Sequence, residues 1–309
     1  MKIVPYCDLE NKDDILVLWV KSFGWMATAD WFEKLRKYDS RLSSGPIGMC
    51  GIINGELVGF VGIMLIPTRN RHGEVEQIGG IYSIATRPSH RRSGIGRKLL
   101  NASEQYMREN GIRLSMLSTS RAIVAHRWYC DVGYKEVESM AKLPFLYKIL
   151  HHSNKSLSAK KPASDVKIDL TKVSPIFDWY TRDKCGFVIR NQNDLKVREL
   201  DGLIDRKLSV AVDGGYALLL KSFDSIRYVE ILARSKRAYR DLLRIAESRA
   251  RQSAISYQVF DPKAQGVMLE SGYKADYGTF DVLMYKPLGS ETFSNIFDKS
   301  FTISRLNWF

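Results

Sequence analysis

The sequence has little of what builds a disulfide framework or a zinc site. Its four cysteines, Cys7, Cys50, Cys130 and Cys185, are scattered without a CxxC pair, and its five histidines show no HxxxH spacing. They read as free thiols in a reducing compartment, and no metal site is expected. Long apolar runs are missing too. The longest, Leu57–Ile66, spans ten residues, about half of what a membrane-crossing helix needs. The opening run, Met1-Lys2-Ile3-Val4-Pro5-Tyr6, lacks the basic, apolar and small-residue sections of a secretory signal. These absences point to a cytoplasmic protein with no membrane partner.

A balance of charge is also missing. The 309 residues carry 47 Lys and Arg against 34 Asp and Glu, a net charge of +13, and both halves are positive without a concentrated basic arm. Such a surface attracts polyanions. A nucleic acid is the weaker expectation, because no recognisable binding motif accompanies the charge; a cofactor bearing several phosphates needs the same cations. The hydrophobic content of 45% and charged content of 26% are those of an ordinary globular chain, and the length suits two domains.

Strands and helices alternate along the sequence, with one polar interruption. Ile3–Tyr6 is expected as a short strand, followed by helices over Asp13–Phe23 and Thr28–Tyr38. Ile47–Ile53 and Leu57–Ile66 flank Asn54-Gly55, the pair favoured by a type I′ hairpin turn. A strand at about Gln77–Thr86 leads into a helix whose residues Ile95, Leu99, Ala102 and Tyr106 share one face. Strand Ile112–Leu117, helix Ala122–Cys130 and a strand pair over Tyr134–Ile149 complete the first half. Residues 151–164, rich in serine and lysine, are expected as a linker. Beyond it the order recurs: strand Val166–Leu170, helices within Pro175–Leu200, hairpin Leu208–Val212 and Tyr216–Lys221, strand Arg227–Ala233, helix Ala238–Arg251, strand Ile255–Phe260 and helix Pro262–Glu270. Gly272-Tyr273 echoes Gly133-Tyr134, so the second half is expected to be a diverged copy of the first.

The densest chemistry lies at Arg91-Arg92-Ser93-Gly94-Ile95-Gly96, with Arg97 and Lys98 following. A helix start leaves backbone N–H groups unpaired and favours anions. Glycines there let the main chain curl round a pyrophosphate. Helices favour acidic residues in the first turn, yet this one opens with cations, so an external anion is expected; an ordinary tight turn is the bland alternative.

This hexapeptide resembles the Q/R-x-x-G-x-G/A cofactor motif of the GNAT superfamily of N-acetyltransferases. Upstream, Ile81-Tyr82-Ser83-Ile84-Ala85-Thr86-Arg87-Pro88 looks like that family's fourth strand; downstream, Ala125-His126-Arg127-Trp128-Tyr129-Cys130-Asp131-Val132-Gly133-Tyr134 is similar to its A-x-x-x-Y-x-x-x-G-F segment. The resemblance implies an α/β (α+β) fold of two GNAT-like domains, each a mixed, mostly antiparallel twisted sheet flanked by helices. It implies an acetyl-CoA site formed by Ile84, Ala85, Thr86, Arg91, Arg92, Ser93, Gly94, Ile95, Gly96 and Arg97 in a catalytic domain over residues 1–150. It also implies direct attack of an amine on the thioester, with Tyr129 protonating the departing thiolate. A tyrosine that merely packs beside Trp128 is the alternative. No residue stands out as general base. Glu74 and Glu76 precede the fourth strand, where family members often place a glutamate; both also read as solvated loop residues. His126 shares a helical face with Tyr129 and reads more simply as a packing histidine.

The second half, residues 165–309, lacks the glycine turn. It has Ala233-Arg234-Ser235-Lys236-Arg237-Ala238-Tyr239-Arg240 in that place, and Met268 where a tyrosine would precede Gly272. It is expected to be a degenerate domain. Paired active and degenerate domains resemble the enhanced-intracellular-survival type of acetyltransferases, in which the C-terminal carboxylate serves as base; that resemblance singles out Phe309. The apolar tail Phe301–Phe309 reads equally as a segment docked on a hydrophobic groove. The expected activity is acetyl transfer from acetyl-CoA to a primary amine, small or peptidic. The competing class is a non-catalytic acyl-CoA-binding or regulatory module contacting protein or nucleic acid. Neither the acceptor nor the oligomeric state is written in the sequence.

Overall fold

The computed structural model describes residues 1–24, 28–43, 45–150, 168–222, 225–250, 254–278 and 281–308. The chain is a mixed α/β protein with two mostly antiparallel sheets flanked by helices. Up to the first sheet's edge the order is β1 (Lys2–Pro5), α1 (Asp14–Phe23), α2 (Ala29–Tyr38), α3 (Ser40–Ser43), β2 (Gly48–Ile53), β3 (Glu56–Arg69), β4 (Val75–Thr86), α4 (Ile95–Glu109), β5 (Leu114–Ser120), α5 (Val124–Asp131) and β6 (Lys135–Glu136). Next come α6 (Glu138–Ala141), β7 (Phe145–Ile149), α7 (Ser174–Thr181), α8 (Asp194–Leu200), β8 (Val210–Val212), β9 (Gly215–Ser222), β10 (Ser225–Ala233), α9 (Lys236–Ala250), β11 (Ala254–Gln258), α10 (Pro262–Glu270) and β12 (Lys274–Asp276). The chain ends with β13 (Asp281–Pro287), α11 (Phe293–Ile296) and a 3-10 turn at Arg305–Asn307.

Local chemistry explains the early elements. Thr28 caps α2 by accepting a hydrogen bond from the Trp31 N–H at 3.2 Å. Asn54 and Gly55 take φ of 51° and 81°, as a type I′ turn requires, and join β2 to β3. Gly24, at φ 70°, ends α1 in the left-handed conformation. The strand expected at Val166–Leu170 lies partly outside the described residues; Ile168 and Asp169 are irregular, and a 3-10 turn covers Leu170–Lys172. The linker expected at 151–164 lies wholly outside them.

The sheets contradict one expectation. The first runs β1-β2-β3-β4-β5-β13-β6 and the second β12-β7-β11-β10-β9-β8. β7, expected to close the first sheet, instead pairs with β11 and β12 in the second. β13, from the end of the chain, pairs with β5 along its whole length and with β6. The two halves have exchanged a strand. Hydrogen-bonding propensity and apolar content do not distinguish which sheet a short strand joins, so the sequence carries no local mark of the swap. The compact units are accordingly Met1–Val137 with Phe280–Ser300 and Trp308, and Glu138–Thr279 with Phe301–Asn307.

In the first unit, one face of the sheet packs on α4 and α5 through Val61, Ile81, Ile95, Leu99, Leu117, Tyr129, Val282 and Met284. The opposite face packs on α1 and α2 through Tyr6, Ile15, Leu18, Trp19, Phe32, Phe60 and Ala85, with Tyr82 against them. In the second unit the tail Phe301, Ile303, Ser304, Leu306 and Asn307 is buried. A buried ion pair helps to hold it: Arg190 donates to Glu230 at 2.8 and 2.6 Å and to the Asn307 side-chain oxygen at 2.7 Å. The hydrophobic-groove reading of the tail therefore describes Phe301–Asn307.

Candidate functional site

The candidate site is a gap in the first sheet. β4 and β5 run parallel and pair only at Gly79–Ser115, Gly80–Met116 and Ile81–Leu117. Past that point β4 stays with β3 as far as Thr86, while β5 stays with β13 to Ser120. The two strands are no longer bonded to each other, and the edge of β4 from Tyr82 to Thr86 is left open toward β5. A bulge sits at the same place. Gly62 faces Tyr82 and Phe60 faces Ala85, so Ser83 and Ile84 together stand opposite Val61. Ser83 takes φ 49°, outside the extended region. A bulge of this kind re-aims the main chain and leaves an N–H unused by the ladder.

From Thr86 the chain enters the glycine turn. Arg92 and Gly94 are left-handed, at φ 61° and 79°, and α4 begins at Ile95. The first backbone bond returning to this turn runs from Lys98 N–H to Gly94 at 3.0 Å. Among the described residues, the N–H groups of Arg92, Ser93, Gly94, Ile95, Gly96 and Arg97 meet no acceptor. No side chain caps the helix. Arg91, Arg92, Arg97 and Lys98 are exposed and pair with no carboxylate among the described residues. Six free amides, a helix dipole and four uncommitted cations make an anion site suited to a pyrophosphate.

The two glycines serve different needs. Gly94 is required by its φ. Gly96 is not required by the fold: a Cβ there would stand 3.7 Å from Thr86 Oγ1 and 3.9 Å from the Trp128 ring, in ordinary contact. A helix position with room for a side chain but occupied by glycine suits close approach of a ligand. Thr86 and Trp128 thus flank the turn; the sequence reading had placed Trp128 only as a packing neighbour.

Tyr129, on α5, is 9% exposed, with its ring 5.1 Å from that of Trp128. Among the described residues nothing hydrogen-bonds its hydroxyl. Burial pushes its pKa up to about 12, so at neutral pH the hydroxyl carries its proton and can give it away. The structure brings Tyr129, Thr86 and the glycine turn to one side of the sheet.

Other expected residues are elsewhere. Glu76 lies near the start of β4, five residues before the last β4–β5 pair. At about 3.3 Å per residue, that is on the order of 17 Å from the opening of the gap. Its carboxylate is held by Arg113, which also bonds Glu291 at 2.7 Å. The structure thus pairs Glu76 with a guanidinium and puts it at the end of β4 away from the bulge. Glu74 is in the β3–β4 turn and accepts from Asn70 Nδ2 at 3.1 Å, which is the solvated-loop reading. His126 shares Glu136 with Arg121, its Nε2 2.9 Å from Glu136 Oε1. Phe309 lies outside the described residues.

The second unit repeats the plan with the gap filled. β10 and β11 are parallel at Ile226–Ile255 and Arg227–Ser256, and β10 bulges between Tyr228 and Glu230. Beyond the bulge the Tyr239 hydroxyl sits by the Ala233 backbone and donates to the Asp261 carboxylate. The Tyr257 hydroxyl sits by the Ile231 backbone without a well-formed bond. Helix α9 is capped, Ser235 Oγ accepting from the Ala238 N–H at 3.1 Å. Lys236 and Arg240 in its first turns are paired with Glu270 at 3.3 and 2.9 Å. What is open and uncompensated at the first unit's turn is satisfied from within here.

Among the described residues no helix is long and apolar enough to cross a membrane, and no cluster of His, Cys, Asp and Glu could hold a metal. A search of curated proteins finds no match to the chain. Solved structures resemble it in fold. A GCN5-related N-acetyltransferase from Kribbella flavida aligns with TM-score 0.63 at 16% identity, covering 93% of this chain and 72% of that one. Eis1 from Mycobacterium abscessus aligns at 0.60 and 16% identity, covering 94% and 75%. A probable N-acyltransferase of unknown function from Enterococcus faecalis aligns at 0.61 and 14% identity, covering 93% and 72%. The family model described as acetyltransferase (GNAT) matches residues 12–134. The segment that holds the glycine turn, the bulged strand and Tyr129 is therefore the part of the chain that is similar to the GNAT acetyltransferase family.

Proposed function

We propose that the protein is an N-acetyltransferase that moves the acetyl group of acetyl-CoA to a primary amine by direct attack. The observation that carries this is the conjunction of six unpaired amides at residues 92–97 with the open edge of β4. The turn would hold the pyrophosphate, with Arg91, Arg92 and Arg97 around it. The edge Ile84–Thr86 would pair with the pantetheine arm as a missing strand would, and the bulge N–H would meet the oxyanion of the tetrahedral intermediate. Tyr129 would give its proton to the departing thiolate. Acetyl-CoA, when bound, supplies the activated thioester. The second unit would bind no CoA, because its turn lacks glycine and the Tyr239 and Tyr257 side chains stand beside its strand edge.

The experiment is calorimetry with CoA, followed by thiol release with acetyl-CoA and a mixed amine panel. One CoA per chain and amine-dependent release are expected. Tyr129→Phe should leave CoA affinity within twofold and lower kcat by ~10²–10⁴-fold, the usual size of an acid–base contribution. Binding of CoA without turnover of any amine would favour the acyl-CoA-binding module instead.

A further inference from the structure

We propose that Tyr82 is a positioning residue: latched to the Ile47 carbonyl, its side chain fixes the bulge whose N–H would meet the thioester oxygen. This role rests on the acyl-transfer reading above and names what aims its oxyanion donor.

A bulge is an extra residue that a strand can shed by slipping, so the strand must be held on both sides of it. The bulge at Ser83 and Ile84 is costly in another way, because Ser83 sits at φ 49°. Downstream, Arg87 holds the strand. Its N–H donates to the Val58 carbonyl at 2.8 Å and its Nε to the Leu57 carbonyl at 2.7 Å, while its guanidinium pairs with Glu56 at 3.1 Å. Upstream, Tyr82 directly precedes the bulge and is held at longer reach. Its hydroxyl donates to the Ile47 carbonyl at 3.0 Å. That carbonyl, just before β2, also accepts from the Ile63 N–H of β3 at 2.9 Å. The tyrosine therefore spans β3, from β4 to the start of β2.

The surroundings of the ring fit this latch. Gly62 is the direct partner of Tyr82 on β3. Its backbone is not left-handed, yet a Cβ there would overlap the Tyr82 ring. The missing side chain lets the ring lie on the strand. Phe60 meets the ring edge-on, with centroids 6.0 Å apart and planes at 75°. Ile47 takes φ 64°, a left-handed conformation that a β-branched residue adopts only under constraint. Strain of this kind persists where neighbours over-determine it, and it gathers at functional sites. Burial pushes the Tyr82 pKa up, so its hydroxyl stays a donor through the neutral range.

The latch stands at the mouth of the gap. Ile81 and Leu117, the last bonded pair, are buried, whereas Tyr82, Ser83 and Ile84 on β4 and Thr119 on β5 are half-buried. The ring leans over β3, away from β5, and leaves the gap unfilled. An oxyanion donor works because it is aimed before the charge develops. Freedom at residues 83 and 84 would blur that aim without touching the glycine turn. Releasing Tyr82 should therefore lower kcat and spare CoA binding.

The test uses the full chain and acetyl-CoA labelled with carbon-13 at the carbonyl. Infrared difference spectra follow the bound carbonyl stretch without acceptor, and kcat is read with the most active amine of the panel. In the parent the bound carbonyl should absorb at lower frequency than the free one, because a hydrogen bond polarises it. Tyr82→Phe keeps the ring and loses only the hydroxyl. It should return the band toward its free position and leave the CoA dissociation constant within twofold. Its kcat should fall about tenfold, less than the ~10²–10³-fold of losing an oxyanion donor outright. Gly62→Ala, whose methyl group pushes the ring off the strand, should act in the same way. Thr68→Val is the control: it removes another buried hydroxyl bond of the same hairpin, from Thr68 to the Glu76 carbonyl at 2.9 Å. It should leave the band where the parent has it. A parent-like band and kcat in Tyr82→Phe, or an equal band shift in Thr68→Val, would overturn the assignment. A parent chain that binds CoA and transfers to no amine would instead overturn the acyl-transfer reading itself.

Discussion

At the residue scale, the glycine turn separates what the fold needs from what a ligand needs. Gly94 is held at φ 79°, and any side chain there is strained whatever the ligand. Gly96 has helical geometry and open space, so Gly96→Ala should not harm folding. Ala is favoured over Gly inside a helix by about 1 kcal/mol, and Tm is expected to hold or rise slightly. The same methyl group would stand where a phosphate oxygen approaches the Gly96 N–H. CoA affinity is expected to fall at least about tenfold, equivalent to about 1.4 kcal/mol, by calorimetry on the full chain. Unchanged affinity would place the phosphate away from α4.

At the scale of elements, the strand exchange changes what can be cut. The sequence reading expects acetyl-CoA to bind at one site, on the isolated segment 1–150 or on the whole chain. In the structure that fragment lacks β13, which bonds β5 along its full length and anchors β6. It would also expose the core side chains Val282, Met284 and Leu288 normally cover, and would carry β7 without its partners. An open β5 edge beside an uncovered apolar face is an aggregation site. Fragment 1–150 is therefore expected to be insoluble or molten, with little near-ultraviolet circular dichroism and no CoA binding. A chimera joining Val137 by a flexible linker to Asp281–Ser300 should restore both the sheet and CoA binding. A soluble, CoA-binding fragment 1–150 would mean that β13 is dispensable to the first sheet.

At the scale of the whole molecule, buried phenols and thiols set an alkaline limit. Burial pushes Tyr6 and Tyr129 up to about 12, and Cys50 likewise. In the unfolded chain the phenols ionise near pH 10 and the thiol near 8.5. Between those values and about 12 the unfolded state has lost protons that the native state still holds, so stability falls as pH rises. These groups contribute their full share below the unfolded values. Tm is expected to be flat from pH 7 to 8.5 and to drop steeply above pH 10. Fluorescence-monitored melting over pH 7 to 11.5 checks this; a flat Tm to pH 11.5 would show that these side chains are reached by solvent.

Much of the protein is determined locally. The Asn54-Gly55 turn, the stripe of Ile95, Leu99 and Tyr106, and the start of α10 at Pro262 follow from conformational preference and apolar periodicity, which need no distant partner. The glycine turn before α4 and the helix that carries Tyr129 were legible for the same reason: both are set by consecutive residues. The loss of the turn in the second half was equally visible, because Lys236 and Arg237 stand where glycine is needed. Only the tertiary structure decided which sheet β7 and β13 join, that Arg113 occupies Glu76, and that Tyr82 reaches the Ile47 carbonyl across β3. Strand pairing depends on partners far along the chain, and one short apolar strand satisfies a sheet edge as well as another. A carboxylate's surroundings depend on which groups the fold brings beside it, as Arg113 beside Glu76 shows.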